Sequence, residues 1–256
     1  MFSAMIALTH VPSPNLQACE RTYVPHAAID HARALAQHAE YCRILEQCGA
    51  VVKTLDVSPD LPDSVFIEDT AIVLDEVAII CSMGAPSRRE EPLRIEPVLR
   101  NYRQIVRVER PATIEGGDVL RIGRKLLVGQ SCRTNSAGIT ALSEIAHVHG
   151  YEVEAIPVRG CLHLKTACTA LPDGRLLVNP AWIDESALQK YHQIPIPAEE
   201  PWAANLALVG STVVMSAEHV RTAELVRGLG FTVRQCDLSE FAKAEGGVTC
   251  LSLLIS

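Results

Sequence analysis

Short runs of β-branched and aliphatic residues recur along the chain in pairs, and two or three turn-forming residues interrupt each pair. Apolar runs of this length around Gly, Asp or Pro are typical of β-hairpins. The pattern predicts four complete hairpins, over residues 70–80, 119–129, 166–178 and 206–215. A fifth unit begins at residue 246, and we expect a strand over residues 3–8 to complete it and so remove an exposed sheet edge.

Helical periodicity fills three of the intervals between the hairpins. It predicts helices over residues 30–48, 136–149 and 219–229. A glycine follows the last turn of each predicted helix, which is the usual position for a residue that ends a helix. A short apolar strand comes next, over residues 50–55, 151–157 and 231–236. Each repeat is therefore predicted to contain a hairpin, a helix and a further strand.

One polar or reactive residue stands where each hairpin begins. These residues are Glu68, Glu115, His163, Asn205 and Cys250. A spacing of roughly 40–50 residues between equivalent positions is typical of propellers and solenoids. We therefore predict one α/β domain over residues 1–256, a five-bladed α/β propeller, with an ordinary mixed α/β sandwich as the alternative. Because equivalent positions of a radial repeat face one axis, these five side chains are expected to converge.

The composition narrows the class of partner. The chain has 256 residues, 48% of them hydrophobic, and a formal net charge of −7, which argues against nucleic acid or an anionic membrane surface. It has no apolar run of about 18 residues, and its first residues lack the basic segment of a signal peptide. The nine cysteines include no C-x-x-C pair, so we expect free thiols in the cytoplasm, with no metal and no cofactor.

The expected convergence of Cys250, His163 and Glu115 indicates nucleophilic catalysis. A cysteine with a pKa of about 8.5 is only a few per cent thiolate at neutral pH, and a neighbouring cation raises that fraction. A histidine oriented by a carboxylate is the usual partner in proton transfer. Carboxylates beside the thiol would repel the oxyanion of acyl transfer, but they bind a guanidinium well. We predict an amidinohydrolase or deiminase reaction on a guanidino compound.

Six short blocks stand in order along nearly the whole chain. They are FIED at 66–69, GAPSRR at 84–89, EGGD at 115–118, RTN at 133–135, LHLK at 162–165 and TC at 249–250. Together they resemble the dimethylarginine dimethylaminohydrolase family of the guanidino-group-modifying superfamily. The resemblance implies a five-bladed α/β propeller. It also implies hydrolysis of asymmetric dimethylarginine or monomethylarginine to citrulline and dimethylamine or methylamine.

The resemblance assigns three catalytic roles. Cys250 matches the nucleophile that forms a covalent thiouronium intermediate. His163 matches the general acid that protonates the leaving amine and then activates water. Glu115 matches the carboxylate that binds the guanidinium and supports the histidine.

The resemblance also implies residues that bind the substrate. Asp63 and Glu68 match acidic residues around the guanidinium, and Asp69 matches a residue that holds the α-amino end. Arg88 and Arg133 match two arginines that bind the α-carboxylate, a bidentate role for which arginine is suited.

Two further matches concern the cover of the site. Leu16 aligns with a residue of the lid loop that covers the substrate, and Ala244 aligns with a backbone-carbonyl contact. The lid segment, residues 11–23, departs from the family pattern, and Ala244 replaces a larger aliphatic residue. Both differences bear on substrate selectivity.

Other interpretations stay open at the level of sequence. The substrate of an arginine-deiminase-like hydrolase would be free arginine or another guanidino compound, and a non-catalytic amino-acid-binding propeller is an alternative of another class. Arg88 could belong to a solvated charge cluster, and Asp63 could be a turn residue. A homodimer is implied by the family alone, and zinc is expected only as an adventitious inhibitor.

Overall fold

The computed structural model describes residues 5–256, and these form five separate sheets of three strands each. The strands are β1 (Ile6–His10), β2 (Val51–Leu55), β3 (Ala71–Val73), β4 (Val77–Ile80), β5 (Gln104–Arg107), β6 (Val119–Ile122), β7 (Lys125–Gln130), β8 (Glu152–Pro157), β9 (Cys168–Ala170), β10 (Leu176–Val178), β11 (Gln193–Pro195), β12 (Ala207–Val209), β13 (Thr212–Ser216), β14 (Thr232–Cys236) and β15 (Leu253–Ile255). The α-helices are α1 (His31–Gln47), α2 (Glu91–Leu99), α3 (Ser136–Val148), α4 (Leu164–Ala167), α5 (Val220–Gly228) and α6 (Ser239–Ala242).

All five sheets share one topology. The middle strand of each pairs antiparallel with one neighbour and parallel with the other. In four sheets the antiparallel pair is a local hairpin, and the parallel strand follows later in the chain, as in β3–β4–β5. The fifth sheet has the order β15–β1–β2. Five copies of one α/β unit confirm the fold class predicted from the sequence, a five-bladed α/β propeller.

The two ends of the chain meet in the fifth sheet. Strand β1 pairs antiparallel with β15, with Ile6 opposite Ile255 and Leu8 opposite Leu253. Residues 3 and 4 of the predicted N-terminal strand lie outside the described residues. Because β15 is hydrogen-bonded into a sheet, the segment just after Cys250 is held in place rather than left as a fraying terminus.

The helix ends follow the predicted pattern to within two residues. The side chain of Asp30 accepts a backbone N–H in the first turn of α1, and Asn135 does the same for α3. Gly49, Gly150 and Gly230 follow the ends of α1, α3 and α5 with φ angles of 94°, 75° and 93°. This left-handed conformation costs glycine nothing and costs other residues strain, which explains why the glycines end these helices.

Four of the five polar residues predicted to start a hairpin, all except Asn205, lie instead next to, or within, one helical turn. These turns are Ile67–Thr70, Gly116–Asp118, Leu164–Ala167 and Thr249–Leu251. Side-chain acceptors hold the turns: the carboxylate of Asp118 accepts the N–H of Leu164 at 2.9 Å. Such bonds satisfy the backbone without a sheet ladder, so the strands begin later than the apolar pattern suggests.

Buried apolar side chains form five clusters between the sheets and helices. One cluster contains Tyr41 of α1, Phe66 and Phe241, and packs the N-terminal loop against the segment that precedes Cys250. Within residues 5–256, no helix is long and apolar enough to cross a membrane.

Candidate active site

His163 and Glu115 come from neighbouring repeats and form a buried pair. Nε2 of His163 lies 2.8 Å from Oε2 of Glu115, and the two residues are 3% and 0% exposed. The other oxygen of Glu115 accepts the backbone N–H of Gly84 at 2.9 Å. Because a carboxylate only accepts, Nε2 is the nitrogen that carries the hydrogen in this pair, and the ring is fixed in orientation.

The electrostatics of His163 favour the imidazolium. Burial opposes the charge, but the carboxylates of Asp69 and Glu115 outweigh it and raise the pKa of His163 to about 9. Nδ1 of His163 lies 3.8 Å from Oδ1 of Asp69. Burial likewise opposes ionisation of Glu115 and Asp69, yet the nearby imidazolium holds the pKa of both carboxyls below the ordinary range. His163 is therefore protonated at neutral pH and can donate a proton.

Gly117 explains why the EGGD block needs its second glycine. A Cβ atom at this position would lie 2.6 Å from Nδ1 of His163 and 2.7 Å from Oδ1 of Asp69. The backbone N–H of Gly117 also donates to Oδ1 of Asp69 at 3.1 Å. Only a residue without a side chain lets the backbone approach both groups.

Cys250 lies on the helical turn Thr249–Leu251, directly after a loop with two adjacent glycines. Its Sγ accepts the backbone N–H of Gly247 at 3.3 Å. Burial raises the pKa of Cys250 to about 12, and the carboxylates of Glu68 and Asp69 add to the effect. At neutral pH the free protein therefore holds a thiol here rather than a thiolate.

Arg88 is buried in an ion-pair network. Its Nη1 lies 2.8 Å from Oδ2 of Asp69, and its Nη2 lies 2.8 Å from Oε2 of Glu91. Nη2 also donates to the carbonyl of Phe66, and Nε donates to Glu91. Arg88 is 3% exposed, which excludes the interpretation of Arg88 as part of a solvated surface cluster.

The guanidinium of Arg133 has a nitrogen, Nη1, whose N–H groups lack an acceptor within residues 5–256. It lies 6% exposed beside the turn at Ser131, whose hydroxyl accepts its backbone N–H at 3.0 Å. Nη1 of Arg133 is 3.9 Å from Oε1 of Glu115 and has no hydrogen-bond partner within residues 5–256. A buried guanidinium N–H without an acceptor is costly, so Arg133 is prepared to bind an anionic group.

Two further acids lie around the thiol. Both carboxylate oxygens of Asp63 accept the backbone N–H of Glu20 at 3.2 Å, and burial raises the pKa of Asp63. Oε1 of Glu68 lies 2.5 Å from Nζ of Lys165, and Oε2 of Glu68 has no partner in the described part of the chain. Burial raises the pKa of Glu68 although Lys165 opposes the shift.

Seven of the ten site residues predicted from the sequence line one small cavity. The lining residues are Glu20, Asp63, Phe66, Asp69, Arg88, Arg133, Leu162, His163, Ala244, Glu245, Gly246 and Cys250. The cavity volume is only about 20 Å³, close to the space of a single water. The protein therefore adopts a closed form, and a whole amino acid enters only when the cover moves.

Three predicted residues do not line this cavity. Leu16 is fully buried in the apolar cluster around Tyr41. Glu115 lies behind His163. Glu68 faces a separate cavity of about 330 Å³, together with Lys165.

Sequence reasoning missed Glu245, which fastens the N-terminal loop over the site. Its carboxylate accepts the backbone N–H groups of Thr22, at 2.6 Å, and of Tyr23. Its φ angle is 59°, a left-handed conformation that is uncommon outside glycine. The local sequence shows only a charged residue before two glycines, so nothing there indicated a contact more than 200 residues away.

One group of side chains has the donor set and spacing of a metal site. Asp69, Glu115 and His163 each offer one ligand atom, and these atoms lie within 4.8 Å of one another. The same atoms already pair with Arg88 and with each other. The sequence-based expectation of adventitious zinc concerned a Cys–His–Glu pocket, and Cys250 is not part of this group, so that expectation stays a prediction.

Comparison with known proteins agrees with this fold. The arginine deiminase family model matches residues 49–202, more than half of the chain. The dimethylarginine dimethylaminohydrolase of Streptomyces coelicolor is 40% identical over 248 residues, which cover 96% of this chain and 95% of that protein. The enzyme of the same name from Pseudomonas aeruginosa is 37% identical over 226 residues, covering 88% and 89%.

A solved structure gives the same result. A cysteine-to-serine mutant of the Pseudomonas aeruginosa enzyme, in complex with citrulline, superposes with a TM-score of 0.93 at 34% identity, covering 99% of this chain and all of that one. The fold and the Cys–His–Glu arrangement thus define a propeller hydrolase of the arginine deiminase class. Within that class, the chain belongs to the dimethylarginine dimethylaminohydrolase family.

Proposed function

We propose that this protein hydrolyses Nω-methylated arginines, namely asymmetric dimethylarginine and monomethylarginine, to citrulline and dimethylamine or methylamine. The observation that carries the proposal is the lining of one cavity. It contains a thiol, an imidazolium, several buried carboxylates and two buried arginines. This set matches a substrate with a guanidinium at one end and an α-carboxylate at the other.

The nucleophile requires activation by the substrate. With a pKa of about 12, Cys250 is a neutral thiol in the free protein. A guanidinium close to Sγ favours ionisation of the thiol, and the acidic wall formed by Asp63 and Asp69 attracts that cation.

The chemistry then balances over two steps. With the guanidinium bound, Cys250 loses its thiol proton to solvent, and the thiolate Sγ adds to the central guanidinium carbon. His163 donates its proton to the methylated nitrogen, and the C–N bond breaks to release a neutral amine, which takes up a proton from solvent. This leaves a thiouronium on Cys250 and a neutral imidazole. In the second step His163 removes a proton from water, the hydroxide adds to the same carbon, and the C–S bond breaks to give citrulline and the thiol.

Glu115 supports both steps. Its hydrogen bond to Nε2 holds the ring of His163 in place, and its charge stabilises the imidazolium that forms in the second step. Nη1 of Arg133 lies 3.9 Å from Oε1 of Glu115 and has no hydrogen-bond partner in the described residues, and we assign it to the substrate carboxylate. Arg88 serves as the second arginine, and it also holds Asp69 in position.

The remaining assignments from the sequence fit this scheme as proposals. Asp63 and Glu68 supply negative charge around the guanidinium, and Asp69 is assigned to the α-amino end. Leu16 is assigned to the lid loop that covers the substrate, and Ala244 to a backbone-carbonyl contact from the cavity wall.

The test is a screen for ureido products of asymmetric dimethylarginine, monomethylarginine, arginine and agmatine, namely citrulline from the first three and carbamoylputrescine from agmatine. We expect turnover of the two methylated arginines and none of agmatine, which lacks the carboxylate that Arg133 would bind. Cys250→Ser should abolish citrulline release. Full activity of Cys250→Ser would refute the covalent route, and binding of arginine analogues without any turnover would indicate a non-catalytic propeller.

The family match to arginine deiminase favours one second candidate, hydrolysis of free arginine. The same screen separates the two, since a deiminase would release ammonia and citrulline from arginine. We also propose a cytoplasmic location, which the nine free cysteines support. A homodimer stays a prediction.

A further inference from the structure

A second cavity lies behind the loop that carries Cys250, and the proposed reaction does not use it. Its volume is about 80 Å³. Its wall comes from the N-terminal loop, the loop before Cys250, helix α4 and the fourth repeat. The lining residues are Val24, Thr166, Trp202, Asn205, Ser216, Glu218, His219, Leu238, Ala242, Glu245, Gly246, Gly247 and Val248.

The size of this cavity restricts its ligand. One water occupies roughly 15 Å³ of such a cavity. The cavity therefore accepts a group of about three to five non-hydrogen atoms, and it excludes a whole amino acid.

His219 is a polar side chain turned into this cavity without a partner. The residue is 8% exposed, and no hydrogen bond to its ring is present within residues 5–256. Burial lowers the pKa of His219, although Glu218 and Glu200 oppose the shift. The neutral ring keeps a nitrogen lone pair, which can accept a hydrogen bond from an N–H group in the cavity.

The rest of the wall has the chemistry that recognises a small organic cation. Trp202 provides an aromatic surface and is held edge-to-face against Trp182, with ring centroids 4.8 Å apart. Glu218 is exposed at the rim and supplies negative charge. Val24, Leu238 and Val248 supply apolar contacts. An aromatic ring, a carboxylate and apolar contacts together bind alkylammonium groups.

The cavity adjoins the active site. Glu245 and Gly246 line both cavities, and Thr166 lies in α4, the turn that directly follows His163. A group bound there lies against residues 245–248, and within this segment Gly247 donates its backbone N–H to Sγ of Cys250. The same group also touches Val24, next to the loop residues that Glu245 holds.

We propose that this second cavity is a binding site for small alkylammonium cations, the class to which protonated dimethylamine and methylamine belong. That dimethylammonium is the natural ligand rests on the proposed function. That the cavity binds alkylammonium cations does not rest on it, because binding requires no turnover. The site would receive the amine after its release and protonation, apart from the citrulline half of the reaction.

A binding measurement tests the site on the full chain, with no guanidino substrate present. Dimethylammonium chloride is titrated by saturation-transfer NMR and thermal shift, with potassium chloride at equal concentration as the control. We expect saturable binding that Trp202→Leu weakens about tenfold. Glu218→Gln should weaken it severalfold; because Glu218 is exposed, this variant tests the site even if Trp202→Leu fails to fold. Glu224→Gln, an exposed change on α5 away from the cavity, is the matched control.

Two results would overturn the proposal. One is a response to dimethylammonium no greater than the response to potassium chloride. The other is equal binding by the wild type and by Glu218→Gln together with purely competitive product inhibition, which would place the amine in the active site. If no methylated arginine is turned over but binding and its loss in Glu218→Gln persist, the site stands and the proposed function fails.

Discussion

Replacement of Glu115 by Gln tests the pair at the centre of the site. The substitution keeps the shape of the side chain and removes only the charge. The amide has one acceptor oxygen where the carboxylate has two. When that oxygen keeps the backbone N–H of Gly84, the amide NH2 faces Nε2 of His163, and the charge-assisted hydrogen bond of 2.8 Å is lost. Because the side chain keeps its shape and its bond to Gly84, the fold is expected to survive.

The size of the effect follows from the pKa of His163. The surrounding acids hold it at about 9, against an ordinary value of 6.5. Asp69 remains in the variant, so the pKa of His163 loses only the increase that Glu115 causes. Hydrogen bonds to charged groups contribute about 1.5–3 kcal/mol, and one pKa unit is about 1.36 kcal/mol. We expect the pKa of His163 to fall by about one to two units.

The loss of ring orientation adds to this effect. General acid–base catalysis contributes about 10²–10⁴-fold to the rate, and a misplaced donor forfeits much of it. We expect kcat to fall by about 100-fold at pH 7. At pH 8.5 the deprotonated imidazole should cost roughly a further tenfold, because proton donation then fails as well.

The assay combines citrulline release across pH 6–10 with an NMR titration of the labelled histidine ring. Glu109→Gln, an exposed carboxylate far from the site, is the matched control and should behave as the wild type. The reasoning is refuted if Glu115→Gln keeps kcat within about threefold of the wild type with the same pH profile. It is also refuted if the ring of His163 titrates at an unchanged pH in the variant.

Three further predictions concern other parts of the structure. Burial lowers the pKa of His38 to about 4 from 6.5, so the unfolded chain binds the proton more tightly, and stability present above about pH 6.5 is lost as the pH falls towards 4. Urea unfolding should show a loss of about 2 kcal/mol between pH 7 and pH 5 that His38→Phe lacks; an equal loss in both proteins would contradict this. Iodoacetamide should modify Cys250 slowly in the free protein and faster at pH 9 than at pH 7; rapid modification that is independent of pH would contradict a thiol pKa of about 12. Arg133→Gln should raise KM about 10–100-fold with little change in kcat, whereas the exposed Arg221→Gln should change neither; a loss confined to kcat would place Arg133 in the chemistry rather than in carboxylate binding.

Local chemistry in the sequence was enough to predict the repeat. The glycines at 49, 150 and 230 end helices because φ there is positive, and this preference is a property of the residue itself. The hairpin turns also depend on the preferences of the turn residues themselves. From these signals the number of units and the convergence of Glu115, His163 and Cys250 could be predicted. No packing information was needed.

Contacts between distant segments could not be predicted in the same way. Lys165 pairs with Glu68 across 97 positions, and Glu245 binds the loop at Thr22 and Tyr23. Neither pair has a periodicity or a turn preference that marks it. Leu16 illustrates the same limit: its position in the lid segment suggested a contact with substrate, but its hydrophobicity places it in the core of this closed form.

The thiol pKa explains how the site can discriminate between substrate and product. At pH 7, a pKa of about 12 leaves only about one thiol in 10⁵ ionised. A guanidinium about 4 Å from Sγ contributes about 4 kcal/mol at an effective dielectric constant of 20, which lowers the pKa by about three units and raises the thiolate fraction about a thousandfold. Citrulline carries no charge at its ureido group, so it brings no such stabilisation. In the proposed mechanism, the acidic wall of Asp63 and Asp69 attracts the cationic substrate, and the thiol stays largely protonated beside a neutral ligand.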